Sequence, residues 1–255
     1  MVHDKHDAHK SPVYAMTSVG NQLYSAAARS LRIWDVGTMK LLSDLTEKIG
    51  VIKAIAFWRE RNLLMTAAEK NIMMWDVVSL TNVGVLKGFK EEIKALHFVS
   101  RTENESDLLF AASKGSSQSG GLLVYDLRKT NNSPMEEFGH QQDVFSLTSC
   151  GSHIFYGCRN HHVYPFCVRT FNTLANLQPP HFDVVTSLAM MNNGRTLVSG
   201  SRDKNLRLYD LTQPNFPEQS NILTAHNDHV NVLETDESQQ YLYSGSRDGI
   251  VRVWQ

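Results

Sequence analysis

Leu242-Tyr243-Ser244-Gly245-Ser246-Arg247-Asp248-Gly249-Ile250-Val251-Arg252-Val253-Trp254 is the stretch that decides the fold. Two short apolar runs flank a turn built from Gly, Ser and Asp. Runs of this kind, bounded by turn residues, read as paired strands. Asp248 precedes Trp254 by six residues. The sequence upstream repeats this pattern, and repetition is the first thing to seek in a chain of this length.

An aromatic residue, often followed by Asp, recurs at Trp34, Trp75, Tyr125, Phe166, Tyr209 and Trp254, with spacings of 41, 50, 41, 43 and 45 residues. The long interval contains two polar insertions, 100–107 and 114–121. Each repeat opens on His or a substitute, with apolar residues four and seven positions later. His9 leads to Val13 and Met16, His140 to Val144 and Leu147, His181 to Val185 and Leu188, and His226 to Val230 and Leu233. Lys48 and Phe89 stand at the His position in repeats two and three. An apolar run ending in small residues follows, then an alternating run that ends at the aromatic. No helix is evident.

This pattern resembles the WD40 family, whose repeat of this period is one four-stranded propeller blade. The resemblance implies an all-β WD40 β-propeller with six recognisable blades over residues 9–255, after a polar tail at residues 1–8. In that fold His226, Ser244, Asp248 and Trp254 form a buried hydrogen-bonded chain. His181, Ser199, Asp203 and Tyr209 form the same chain with Tyr in place of Trp. Such a chain satisfies polar groups that would otherwise be costly to bury. Repeats one and two have short turns with no Asp, so apolar packing alone is predicted to hold them. The last repeat supplies three strands, and the polar residues 1–8 make a poor fourth. A blade missing upstream, from a truncated seven-bladed ring, is the preferred expectation. A closed six-bladed ring with a weak latch is the alternative.

Composition narrows the function. Lys plus Arg is 25 and Asp plus Glu is 26, a formal net charge of −1, which disfavours a dedicated nucleic-acid binder. Hydrophobic residues are 42% of the chain, as in ordinary globular proteins. No apolar run approaches the roughly 20 residues that span a bilayer. Residues 1–10 do not form a secretory signal. Three sparse cysteines, Cys150, Cys158 and Cys167, fit buried thiols in a reducing, cytoplasmic setting. Phosphate loops, zinc-protease motifs and nucleophile elbows are absent. His161 and His162 lie near Cys158 and Cys167, but the spacing does not suit zinc. No catalytic residue, metal or cofactor is expected.

Four repeats place a basic residue at the same point of the turn after the second strand: Lys114, Arg159, Arg202 and Arg247. On a propeller these would form a basic arc on one face and steer an acidic partner by charge. Alternatively, each simply solvates an exposed turn. Glu92, Asp143 and His229 share that face. Phe216, between Pro214 and Phe216's neighbour Pro217, is either an exposed anchor or tucked under its blade. Trp58 either docks a partner or packs on the next blade.

Leu177-Gln178-Pro179-Pro180-His181-Phe182-Asp183, with Leu197-Val198-Ser199-Gly200-Ser201-Arg202-Asp203, resembles a blade of the C-terminal propeller of kinesin-4 motors. Ala225-His226-Asn227-Asp228-His229-Val230 and the short turn ahead of Arg32-Ile33-Trp34-Asp35 are also similar to theirs. The resemblance implies a non-motor, microtubule-associated interaction module, with acidic tubulin tails as the partner suited to the arc. The abrupt end at the Trp254 strand is instead like the WD-repeat ubiquitin ligase of the TRAF family. That alternative implies a substrate-recruiting module.

Overall fold

The computed structural model describes residues 9–45, 50–99, 108–115, 121–128, 134–139, 142–212, 221–224, 226–236 and 238–255. They form six antiparallel sheets, the blades of a β-propeller. Blade 1 holds β1 (Val13–Val19), β2 (Gln22–Ala27), β3 (Ser30–Asp35) and β4 (Leu41–Leu45). Blade 2 holds β5 (Ile52–Trp58), β6 (Leu63–Ala68), β7 (Asn71–Asp76) and β8 (Asn82–Leu86). Blade 3 holds β9 (Ile93–Val99), β10 (Leu108–Ser113), β11 (Gly121–Asp126) and β12 (Glu136–Gly139). Blade 4 holds β13 (Val144–Cys150), β14 (His153–Cys158), β15 (Val163–Cys167) and β16 (Asn172–Thr173). Blade 5 holds β17 (Val185–Met191), β18 (Thr196–Ser201), β19 (Asn205–Asp210) and β20 (Asn221–Thr224). Blade 6 holds β21 (Val230–Thr235), β22 (Leu242–Ser246) and β23 (Val251–Trp254). A single 3-10 turn, Arg59–Arg61, is the only helical element among the described residues.

The first strands of successive blades lie side by side from β1 to β21. The core is therefore five apolar slabs, one at each junction between neighbouring blades. Ala54, Met65, Ala67 and Ile72 of blade 2 face Ile93, Leu96, Leu109, Leu123 and Tyr125 of blade 3. Both faces of a blade meet neighbours, so middle strands such as β6, β10 and β11 are buried along nearly their whole length. Each fully buried aliphatic side chain contributes about 1.5–3 kcal/mol.

The outward face of blade 6 has no such neighbour among the described residues. Val251 pairs with Gly245 as Ile72 pairs with Ala67 and Leu206 with Gly200, so the three occupy one register. Ile72 and Leu206 are 0% exposed, whereas Val251 is 68% exposed. Val232 and Val253 are also exposed on this blade, and Val13 and Met16 are exposed on blade 1. Residues 1–8, the weak latch of the alternative six-bladed reading, lie outside the described residues.

The polar chains have a common geometry. In blade 6 the Trp254 indole N–H donates to Ser244 Oγ at 2.9 Å, and His226 Nε2 meets the same hydroxyl at 2.8 Å. His226 Nδ1 lies 3.0 Å from the Asp248 carboxylate. The two ring nitrogens of His226 thus bridge the Ser244 hydroxyl and the Asp248 carboxylate. In blade 5 His181 lies 2.8 Å from Asp203 and 2.7 Å from Ser199. The Tyr209 hydroxyl donates to the Pro179 carbonyl at 3.3 Å. Burial opposes the charge on Asp203. The His181 ring and the backbone N–H groups of Phe182 and Asn205 outweigh it and hold the pKa down at about 2. Burial lowers the His181 pKa, with Asp203 pulling the other way.

Blade 1 corrects the expectation of apolar packing alone. The Trp34 indole donates to Ser25 Oγ at 2.8 Å, and His9 Nε2 meets that hydroxyl at 2.7 Å. His9 Nδ1 then meets Ser30 Oγ at 3.0 Å, and Ser30 passes its own proton to the Ala27 carbonyl at 3.1 Å. Serine replaces the missing aspartate because the turn is too short to deliver a carboxylate there. In blade 2 the Trp75 indole donates to Thr66 Oγ1 at 2.9 Å, while Lys48 lies outside the described residues. In blade 3 Phe89, at the His position, stacks on Tyr125 with ring centroids 5.5 Å apart.

Candidate functional site: a basic arc and the channel mouth

One backbone hydrogen bond recurs in four blades. The N–H of Lys114 donates to the Glu92 carbonyl, Arg159 to Asp143, Arg202 to Val184 and Arg247 to His229, at 2.9, 2.9, 3.0 and 2.9 Å. Each acceptor lies at or just before the start of its blade's first strand. The four cations thus hold one register in blades 3 to 6, on the face where the first strands begin. The residue after the paired end of the second strand is Ala28 in blade 1 and Glu69 in blade 2. The arc therefore spans four blades and stops at an acid.

All four side chains are exposed. Arg159 stands 3.6 Å from the Asp143 carboxylate and Arg247 3.9 Å from Asp228. Exposed pairs at such distances contribute little stability and are screened by salt, so both guanidinium groups remain available. Lys114 and Arg202 have no ion-pair partner among the described residues. Phe182, beside Asp203 at the start of blade 5, is 80% exposed, with the Arg207 guanidinium 5.8 Å from its ring centroid. The sequence does not reveal this exposed aromatic, because nothing in Pro-His-Phe-Asp distinguishes an outward ring from a buried one.

Trp58 is not part of this surface. It is 7% exposed and stacks on Phe98 of the next blade with centroids 6.1 Å apart. The packing alternative holds, because the residue ends β5 on the face that meets blade 3. Phe216 lies outside the described residues.

A second ring of residues escapes sequence inspection. Every first strand skips one residue in its pairing with the second strand, a β-bulge, at Tyr14, Lys53, Lys94, Phe145, Thr186 and Asn231. A bulged residue leaves the ladder and re-aims its side chain. Tyr14, Lys53, Lys94 and Phe145 come from four consecutive blades yet line a single cavity, which therefore lies on the ring axis. The Lys53 ammonium sits 3.6 Å from the Tyr14 ring centroid, and Lys94 sits 4.2 Å from that of Phe145. Lys94 also pairs with Asp143 at 3.2 Å.

Among the described residues, no three His, Cys, Asp or Glu side chains gather as a metal site. All three cysteines are free thiols, but only Cys158 is fully buried, and burial raises its pKa. Cys167 corrects the expectation of three buried thiols: it is partly exposed, and hydrogen bonding from Thr170 lowers its pKa. No described helix is long and apolar enough to cross a membrane.

Comparison with known proteins agrees with this geometry. The family described as WD domain, G-beta repeat, matches residues 167–210 and 217–255, covering blades 5 and 6. The human kinesin-like protein KIF21A is 25% identical over 278 residues, covering 97% of this chain and 16% of the relative. Human KIF21B is 24% identical, with 97% and 16% covered. SOF1 of Saccharomyces cerevisiae is 29% identical, over 77% of this chain and 38% of its own. The chain thus spans a small part of these relatives. The crystal structure of the computationally designed Ika8 protein superposes with a TM-score of 0.72 at 22% identity, over 96% of this chain and 71% of that one, a likeness of fold alone. Two repeats match the WD40 model directly and six blades share one register, so the chain is a six-bladed β-propeller that carries WD40 repeats at residues 167–210 and 217–255.

Proposed function

We propose that this propeller is a non-catalytic protein-interaction scaffold that receives an acidic polypeptide segment on the face carrying Lys114, Arg159, Arg202 and Arg247. The observation that carries the reading is their shared backbone register: four exposed cations on consecutive blades, each fixed by the same hydrogen bond. A curved row of cations matches an extended chain of carboxylates, and charge-assisted hydrogen bonds from Arg are the strong ones. Phe182 adds an apolar anchor beside the row.

The setting we propose is a cytoplasmic, kinesin-4-like microtubule-associated protein, with the acidic tails of tubulin as the partner. Likeness to kinesin-like proteins along 97% of this chain supports that setting. Co-sedimentation with microtubules tests it. Binding that requires the tubulin tails is expected, and equal binding to tail-cleaved microtubules contradicts it.

A further inference from the structure

The arc is continuous with the ring axis. The axial cavity, of about 230 Å³, is lined by Tyr14, Lys53, Glu92, Lys94 and Phe145. A second cavity, of about 460 Å³, shares Lys94 and Phe145 as walls and runs outward to Arg159 and Arg202. Together they form one groove from the channel mouth to the middle of the arc.

Its charges leave a small surplus. Lys53, Lys94, Arg159 and Arg202 supply four positive charges, and Glu92, Asp143 and Asp183 supply three negative ones, a balance of plus one. Asp143 is engaged with Lys94 at 3.2 Å and Arg159 at 3.6 Å. Lys53 has no acidic partner among the described residues. Its ammonium rests on the Tyr14 ring at 3.6 Å, which holds the cation in place without neutralising it. A half-buried ammonium that faces a cavity and lacks a counter-ion favours an incoming anion.

We propose that the axial cavity seats one carboxylate of an acidic peptide against Lys53 and Lys94, while the peptide runs outward over Arg159 and Arg202. This rests on the acidic-partner reading above and names the subsite that would anchor it. A surplus of one charge matches a single carboxylate, whereas a phosphate dianion would leave an uncompensated negative charge in the groove. Tyr14 and Phe145 flank the two ammonium groups and present apolar surface to the methylenes of a Glu side chain.

The test is a titration of the whole chain with a fluorescently labelled hexaglutamate peptide at low salt. Lys53→Gln is expected to weaken binding about tenfold, the scale of one charge-assisted hydrogen bond. Lys53→Arg is expected to retain most of it. Lys40→Gln, at an exposed position of blade 1 outside both cavities and the arc, is expected to change binding less than about threefold. An unchanged thermal unfolding midpoint shows that the Lys53 variants fold. Wild-type affinity in Lys53→Gln, together with loss in Arg202→Gln, would overturn the axial subsite and leave the arc intact. Failure of the wild-type chain to bind would overturn the subsite and the acidic-partner reading together. Displacement of the peptide by equimolar inorganic phosphate would overturn the carboxylate assignment.

Discussion

A Cβ built on Gly200 would stand 2.8 Å from Cγ1 of Val230, the first residue of the next blade's inner strand. Val230 is fully buried and stiff at χ1, so it cannot move aside. The small residues that end each second strand are therefore imposed by the neighbouring blade. Gly157 meets Val185 in the same way, at 2.6 Å. Gly245 differs: its added Cβ would meet only Val232 of its own blade, which is exposed.

Gly200→Ala is expected to cost about 1–3 kcal/mol through overpacking, and Gly245→Ala less than about 1 kcal/mol. Urea unfolding of both variants checks this. Equal costs would mean that blade 6 has a neighbour at that face.

The pairing of His9 with Ser30 yields a second expectation. Ser30→Ala leaves the part-buried His9 Nδ1–H without its partner at a cost of about 1 kcal/mol, while a surface change such as Lys40→Ala stays within about 0.5 kcal/mol. Thermal unfolding distinguishes them. A neutral Ser30→Ala would show that blade 1 relies on apolar packing after all.

Acid should destabilise the fold in two stages. Burial lowers the His97 pKa from 6.5 to about 4, so below pH 6.5 the unfolded chain binds a proton that the folded chain refuses. Stability present at pH 7 is therefore lost as pH falls from about 6.5 to 4, at up to ~1.4 kcal/mol per pH unit for this group. His181 acts in the same direction. Below about pH 4, the ordinary carboxylate range, Asp203 and Asp248 add a further loss, since both are held at about 2 in the folded chain. Urea midpoints across this range should fall on acidification. His97→Gln should flatten the upper stage, and an unchanged slope in that variant would contradict the assignment.

The blades were legible because propeller junctions impose two strong signals. One is the alternation of apolar residues, as in Leu206 and Leu208 either side of Arg207. The other is the small residue opposite the next inner strand. The arc was legible because one turn position repeats. The bulge residues were not, since Tyr14, Lys53, Lys94 and Phe145 share a backbone position and no chemistry. Glu69 was hidden for a related reason: its turn lacks the Ser-Arg-Asp sequence that marks the position elsewhere. Ser30 took the place of an aspartate through geometry that residue identity does not reveal.

Salt-dependent retention of tubulin by the wild-type chain and by the quadruple variant Lys114→Glu, Arg159→Glu, Arg202→Glu, Arg247→Glu tests the central claim most directly. Retention is expected for the wild type at low salt, fading as ionic strength rises and absent with tail-cleaved tubulin. The folded quadruple variant should retain none. Equal retention by that variant, or wild-type retention that ignores both salt and tails, would contradict the basic arc as the docking surface.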